Sequence, residues 1–343
     1  MSVIVITYNH SAYIRDALDG ILGQHVDFPF EVIVHDDAST DGTADVVRQY
    51  AVSHPAVIPY LEEVNKFGEI PSALQRCVSL ARGKYIAFTE GDDYWVDPSK
   101  LQVQYDYLEK NPDHSACVHN AYILDLTNDL VYLSEPWGKD RDKTYGELVE
   151  EGGGQLNPTA SFFFRKEALD FGYMGCGAPV GDHFWLMSFA RHGKVRFMTK
   201  PMSVYRYGSA GCWTFQPRGK EWYISYFEGY RRGLLYEDEA SSHLASEHIG
   251  RAIELRESQM KKRLLSCGCS FSEAGLPDEV MKRSEAFGCC VKAKVKSLLP
   301  NSVLRGRARV KKRFAARRQG LLVGDLRKGA PSEIKPLGMR GGE

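Results

Sequence analysis

Several familiar signatures are missing from this 343-residue chain, and each absence removes a class of protein. Its eight cysteines, at 77, 117, 176, 212, 267, 269, 289 and 290, form no CxxC pair, so zinc ribbons and dithiol redox centres are not expected. Cys267-Gly268-Cys269 and Cys289-Cys290 have no spaced histidine beside them, and free thiols in a reducing compartment are the expectation. No apolar run approaches the roughly 18 residues needed to span a bilayer, and no basic-then-apolar leader opens the chain. The expectation is therefore a cytoplasmic protein, free or peripheral on the inner face of the cell membrane. Neither a Gly-x-Gly-x-x-Gly fingerprint nor a Gly-x4-Gly-Lys-Ser/Thr loop follows the first strand. A bound nucleotide would then be held by side chains and metal rather than by a glycine nest.

Positions 291–319 lack acids altogether while holding eleven Lys or Arg, although the whole chain balances 44 basic against 44 acidic residues. This segment is a separate electrostatic object on an otherwise acidic protein. With 43% hydrophobic and 26% charged residues, the remainder has the composition of globular material, long enough for one large domain and an appendage.

What is present is an alternation. Val3-Ile4-Val5-Ile6, Phe30 to His35, Val57 to Leu61 and Tyr85 to Phe88 read as strands. Stretches near Ser11 to Leu22, Thr43 to Ser53 and Pro71 to Arg82 read as the helices between them. Continuous β-branched runs suit strands covered on both faces, and short strand–helix connections imply a parallel sheet with right-handed crossovers. Every strand is followed by a polar tip: Thr7-Tyr8-Asn9-His10, Asp36 to Gly42, and Glu90-Gly91-Asp92-Asp93. Ligands of such sheets bind beyond the carboxyl ends of the strands, so these clusters converge on one crevice.

Glu90, Asp92 and Asp93 place three carboxylates within four positions. Like charges so close repel unless a hard divalent cation or N–H donors neutralise them, and a magnesium or manganese site clamping a diphosphate is the natural reading. Were a nucleotide bound, Asp37 suits a base N–H, Asp92 the ribose hydroxyls and Asp93 the metal. The competing duty for Asp37 and Asp41 is turn formation and capping before Thr43.

The segments Val3 to His10, His35 to Gly42 and Glu90 to Gln102 resemble the bacterial family 2 glycosyltransferases, which have the GT-A fold. The resemblance continues in order through Asn157-Pro158-Thr159-Ala160-Ser161, Gly181-Asp182-His183, His192-Gly193-Lys194 and Met202 to Arg206. It implies an α/β fold with a mostly parallel, Rossmann-like central sheet flanked by helices. It also implies an inverting, metal-dependent, non-processive transfer from a nucleotide-sugar, a UDP-sugar leading, in building cell-surface polysaccharide or glycan. Thr7, Asn9, Asp37 and Asp92 then fall on donor-binding positions, Asp93 on the metal position for Mn2+ or Mg2+, and Asp182 on that of the catalytic base. Glu90 stands where the family usually has Asp. For Asp182 the competing duty is an N-cap of the helix from His183 to His192. His183 is a candidate for the acceptor pocket, and Trp213 for a lid over the donor within Gly208 to Thr214.

The resemblance covers residues 1–214, the expected catalytic domain. A helical extension over 215–290 follows, with aromatics at helical spacing between Lys220 and Lys262 expected to pack rather than to bind. The basic amphipathic segment 291–319 fits an anionic membrane surface, which would suit a saccharide or lipid-linked saccharide acceptor, with no nucleic-acid partner expected. Disorder is expected over 320–343. Two rival functions are a sugar-1-phosphate nucleotidyltransferase, which should show a basic glycine-rich loop after the first strand, and a catalytically inactive scaffold of the same fold.

Overall fold

The computed structural model describes residues 1–69, 72–136, 138–152, 156–179, 181–209 and 218–267. Among the described residues, ten strands form one sheet. The first half alternates as the sequence suggests: β1 (Ser2–Thr7), α1 (Ile14–Leu22), β2 (Glu31–Asp36), α2 (Thr43–Ser53), β3 (Val57–Leu61), α3 (Ala73–Leu80) and β4 (Tyr85–Glu90). Parallel pairing runs β3-β2-β1-β4, with Val3 beside Val32 and Ala87.

The second half contributes β5 (Tyr94–Trp95), α4 (Lys100–Lys110), β6 (His114–Asp125), β7 (Leu130–Leu133), β8 (Arg141–Lys143), α5 (Tyr145–Glu151), β9 (Phe163–Arg165), α6 (Asp182–His192) and β10 (Lys194–Tyr207). The sheet continues β4-β9-β6-β10-β5, with β7 on β6 and β8 on β10. Here antiparallel pairs join β9 to β4 and β6, and β5 to β10, while β6 and β10 run parallel. The parallel arrangement thus belongs to the first half, and the whole sheet is mixed. Two helices end the described chain, α7 (Lys220–Ala240) and α8 (Ser246–Ser266).

Alternating side chains of the buried strands feed two cores. Val3, Val5, Val32 and Val34 meet Ile14, Leu18 and Ile21 of α1 on one face. Ile4, Ile33, Ile86 and Phe88 meet Leu74 and Cys77 of α3 and Leu186 and Phe189 of α6 on the other. This double coverage is why the strands read as unbroken apolar runs. A third core belongs to helices alone, with Val149 of α5, Phe184 and Met187 of α6, Tyr230 and Leu234 of α7 and Ile249 of α8.

Helix α3 opens on a capping box in which the Ser72 hydroxyl accepts from Gln75 N while the Gln75 side chain accepts from Ser72 N. Strand β10 breaks register against β6 between Met198 and Ser203, around Pro201, which has no N–H to give to a ladder. Beyond the break it pairs with β5, placing Ser203 opposite Trp95. Cys77, Cys117, Cys176 and Cys267 are free thiols. Among the described residues, no helix is long and apolar enough to cross a membrane.

Candidate active site

The tips of β1, β2 and β4 lie side by side because their strands are neighbours. Thr7 ends β1, and its carbonyl accepts from Asp37 N at 3.1 Å. Gly91 N donates to Ile6 O at 2.8 Å. A Cβ on Gly91 would fall 2.5 Å from Thr7 Oγ1, so only glycine lets the acidic tip of β4 settle on the tip of β1. Thr7 Oγ1 is buried and has no hydrogen-bond partner among the described residues.

Asp36 and Asp41 do the turn and cap work of the second loop. Asp36 accepts from Ser39 N and Oγ, and Asp41 from the amides of Ser11 and Thr43 and the Thr43 hydroxyl. Burial alone would raise the Asp41 carboxyl, but these hydrogen bonds outweigh it and hold it at about 2. Asp37 is also buried, and one of its oxygens accepts from Lys66 N at 2.7 Å. Asn9, in the left-handed region at φ 55, braces the same loop: its side-chain oxygen accepts from Thr40 N at 2.8 Å. The side-chain carbonyl of Asn9 is therefore spent on the protein rather than turned toward a donor.

Asp92 and Asp93 are both buried. Ser209 Oγ donates to Asp92 Oδ2 at 2.6 Å, and His10 Nδ1 lies 4.0 Å from Asp92 Oδ1. Asp93 Oδ1 accepts from Arg206 N at 2.9 Å, whereas Asp93 Oδ2 is buried with no hydrogen-bond partner among the described residues. Burial, then the charges of Asp92 and Glu90, push the Asp93 carboxyl well above its usual range against the pull of Arg206. Burial, then Asp92 and Asp182, push Glu90 up to about 8. Glu90 thus feels the charge both of Asp92 beside it and of Asp182 from a distant part of the chain.

This donor set fits a divalent cation. An orphaned, buried carboxylate oxygen is what such an ion would satisfy, and the oxygens are hard ligands of the kind magnesium and manganese take. Among the described residues no three His, Cys, Asp or Glu side chains form a metal cluster, so a cation bound at Asp93 would draw further oxygens from its ligand.

Asp182 begins α6, and its carboxylate accepts from His183 N at 2.8 Å, a cap-like bond at the helix start. His183, one residue on, does not line the crevice. It is 1% exposed, Nε2 lies 2.9 Å from Leu148 O, and Nδ1 is bonded to the Tyr230 hydroxyl. Consecutive helical residues point about 100° apart, so with Asp182 on the crevice side His183 falls into the helical core. Trp213 and the rest of its proposed lid, after Gly208 and Ser209, lie outside the described residues, as do residues 291–319 and 320–343.

One important residue was not singled out from the sequence. Arg206 is buried, its Nη1 donates to Asp92 O at 2.7 Å, its Nη2 pairs with Asp16, and its guanidinium lies 4.2 Å over the Tyr94 ring. Its position at the end of the Met202 to Arg206 segment was the available signal; its partners come from three other elements.

These features define an acidic crevice at the carboxyl ends of β1, β2 and β4 in an α/β fold. Residues 2–172 match the family described as Glycosyl transferase family 2. An uncharacterized protein of Mycobacterium tuberculosis is 35% identical over 230 residues, 65% of this chain and 63% of that protein, so the match spans less than two thirds of that relative's length. A dTDP-rhamnosyl transferase of Shigella flexneri, RfbG, is 35% identical over 212 residues, 58% of this chain and 70% of that protein. Among solved structures, S. aureus TarS 1–349 in complex with UDP-GlcNAc superposes with a TM-score of 0.54 at 17% identity, over 85% of this chain and 78% of that one. The chain belongs to the family 2 glycosyltransferases and has their GT-A fold.

Proposed function

We propose that this protein transfers a sugar from a nucleoside-diphosphate sugar, with a UDP-sugar the leading donor, to a hydroxyl acceptor. The transfer is inverting and non-processive and serves cell-surface polysaccharide or glycan synthesis. The observation that carries the reading is Glu90, at the carboxyl end of β4 beside Asp92 and Asp93, which feels the charge of Asp182 on a helix from the other half of the chain. Thr7 and Asp37 would hold the base, Asp92 the ribose, and Asp93 a manganese or magnesium ion that, when bound, neutralises diphosphate charge. Asp182 would take the proton of the attacking hydroxyl.

The catalytic unit is placed in residues 1–214 and the helical extension in 215–290. The basic segment 291–319 is assigned to contact with an anionic membrane surface from the cytoplasmic side. The relatives support surface-glycan synthesis: the Shigella protein is named a dTDP-rhamnosyl transferase, and a Bacillus subtilis relative is named as a teichuronic acid biosynthesis glycosyltransferase.

The test is a calorimetric titration of UDP, GDP, CDP and dTDP, with and without manganese, on the wild type and Asp93→Asn. Saturable binding of one diphosphate that requires both manganese and Asp93 is expected. Binding that ignores either of them would remove Asp93 from the site, and binding of none would sink the transferase reading.

A further inference from the structure

Helices α7 and α8 do more than pack. Between them opens a cleft of about 250 Å³, lined on one side by Trp222, Tyr223 and Tyr226 and on the other by Arg256 and Arg263. Arg218 closes one end, its guanidinium 3.9 Å over the Trp222 ring, and no acidic side chain lines the space among the described residues. The Trp222 and Tyr226 rings lie 4.7 Å apart at 32°, a tilted aromatic wall. Arg256 Nε is buried without a hydrogen-bond partner among the described residues, and its guanidinium sits 5.4 Å over Tyr230.

The cleft adjoins the start of α6: Tyr230, one of its lining residues, is bonded to His183, the residue after Asp182. Burial, then the charge of Asp182, pushes the Tyr226 hydroxyl up to about 12, so Asp182 lies within electrostatic reach of the aromatic wall. The backbone of α7 is brought to the start of α6 by glycine: a Cβ on Gly229 would fall 2.1 Å from Gly177 O, and one on Gly233 would fall 2.5 Å from the Phe184 ring.

We propose that this cleft is the acceptor subsite of the transferase and that it takes an anionic saccharide, a sugar ring bearing a phosphate or carboxylate group. This assignment rests on the transferase reading above. Aromatic faces suit the apolar C–H face of a sugar ring. Arginines suit a phosphate or carboxylate, which they grip through paired N–H donors, and a donor-rich wall without carboxylates discriminates against neutral sugars. The volume, a little under the roughly 300 Å³ at which drug-sized pockets begin, accommodates a short saccharide end rather than a long chain. A hydroxyl of that sugar would be presented toward Asp182, while the anionic group stays with Arg256 and Arg263.

The experiment titrates the full-length chain with glucose 6-phosphate, glucuronate, glucose and inorganic phosphate, reading tryptophan fluorescence. Trp222→Phe, which keeps an aromatic ring, separates this cleft from the other tryptophans. Saturable quenching by both anionic sugars is expected, at least tenfold weaker for glucose and for inorganic phosphate, and absent in Trp222→Phe. Arg256→Gln and the more exposed Arg263→Gln should each weaken the anionic sugars about tenfold, the range of a charged hydrogen bond. The ratio of the glucose 6-phosphate and glucuronate affinities identifies which anion is preferred. Equal binding of glucose, equal binding of bare phosphate, indifference to both arginine substitutions, or no saturable response would each overturn the assignment. UDP with manganese is titrated on the same proteins. Competition between UDP and glucose 6-phosphate for the same signal would make the cleft part of the donor site and overturn the acceptor role. Loss of UDP binding by the wild type, with the sugar response intact, would sink the transferase reading instead.

Discussion

Arg206 and Asp93 are joined through the main chain: the Arg206 amide donates to Asp93 Oδ1 at 2.9 Å, so the end of β10 holds the carboxylate at the end of β4. The Arg206 side chain then reaches past it to Asp92 O at 2.7 Å and to Asp16 of α1. One residue thus positions both aspartates, and its guanidinium offsets part of their charge.

Arg206→Lys should therefore weaken nucleoside-diphosphate binding. A lysine cannot span the Asp92 carbonyl and Asp16 together, and the loss is expected at about tenfold in affinity with about 2 kcal/mol of stability. Calorimetry and urea unfolding measure the two. An unchanged affinity would mean that Asp92 and Asp93 hold their places without help.

Asp182→Asn keeps the size of the side chain and can still accept from His183 N, so the start of α6 should survive. Diphosphate affinity is expected to stay within a few-fold of wild type. Transfer, followed as donor consumption with a cell-envelope extract as acceptor, should fall by roughly 10²–10⁴. A rate near wild type would reduce Asp182 to a helix cap.

His183 gives a pH signature. Burial, then the Arg256 charge, hold its imidazole down to about 3, so it stays neutral in the folded protein, while in the unfolded chain it titrates near its ordinary 6.5. Between those values the unfolded state binds the extra proton, and stability falls as pH drops from about 6.5 toward 3. His183→Phe should flatten this part of the stability curve. It should also cost about 2–4 kcal/mol near neutral pH by stranding the Leu148 carbonyl and the Tyr230 hydroxyl. Urea unfolding at several pH values reads both effects, and an unchanged slope would show that other groups carry the acid sensitivity.

Gly91→Ala drives a methyl group into Thr7, with Oγ1 at 2.5 Å and Cβ at 2.7 Å. Overpacking of this kind costs about 1–3 kcal/mol, and here it should also part the tips of β1 and β4 and weaken diphosphate binding. Thermal unfolding with and without UDP and manganese tests it. A variant that melts lower yet binds normally would separate the two effects.

The first half of the fold was legible because buried parallel strands announce themselves twice, by an unbroken apolar run and by a polar tip. Helix α2 and strand β3 fall on the residues read from the sequence, and β1, β2 and β4 differ from it by one or two. The second half was less legible. Strand β9 is three residues long and follows a 3-10 turn at Thr159–Ser161, too short for any period to show. Arg206 reads as one basic residue in a strand; its work depends on the break around Pro201 and on partners more than 100 residues away. His183 lies beside Asp182 in the chain but on another side of the helix, a distinction a motif does not carry. The aromatics of α7 are expected to pack, and Tyr226, Tyr230 and Leu234 do so; the cleft that Trp222, Tyr223, Tyr226 and Tyr230 also line depends on where α8 lies, which helical spacing does not encode.

The sheet and helical cores among the described residues both support the crevice. Thr7, Asp37, Asp92 and Asp93 hang from the sheet, while Asp182 hangs from α6, whose Phe184 and Met187 are anchored among helices. Through Leu186 and Phe189, α6 is also tied to the sheet, so the two sets of groups share one core.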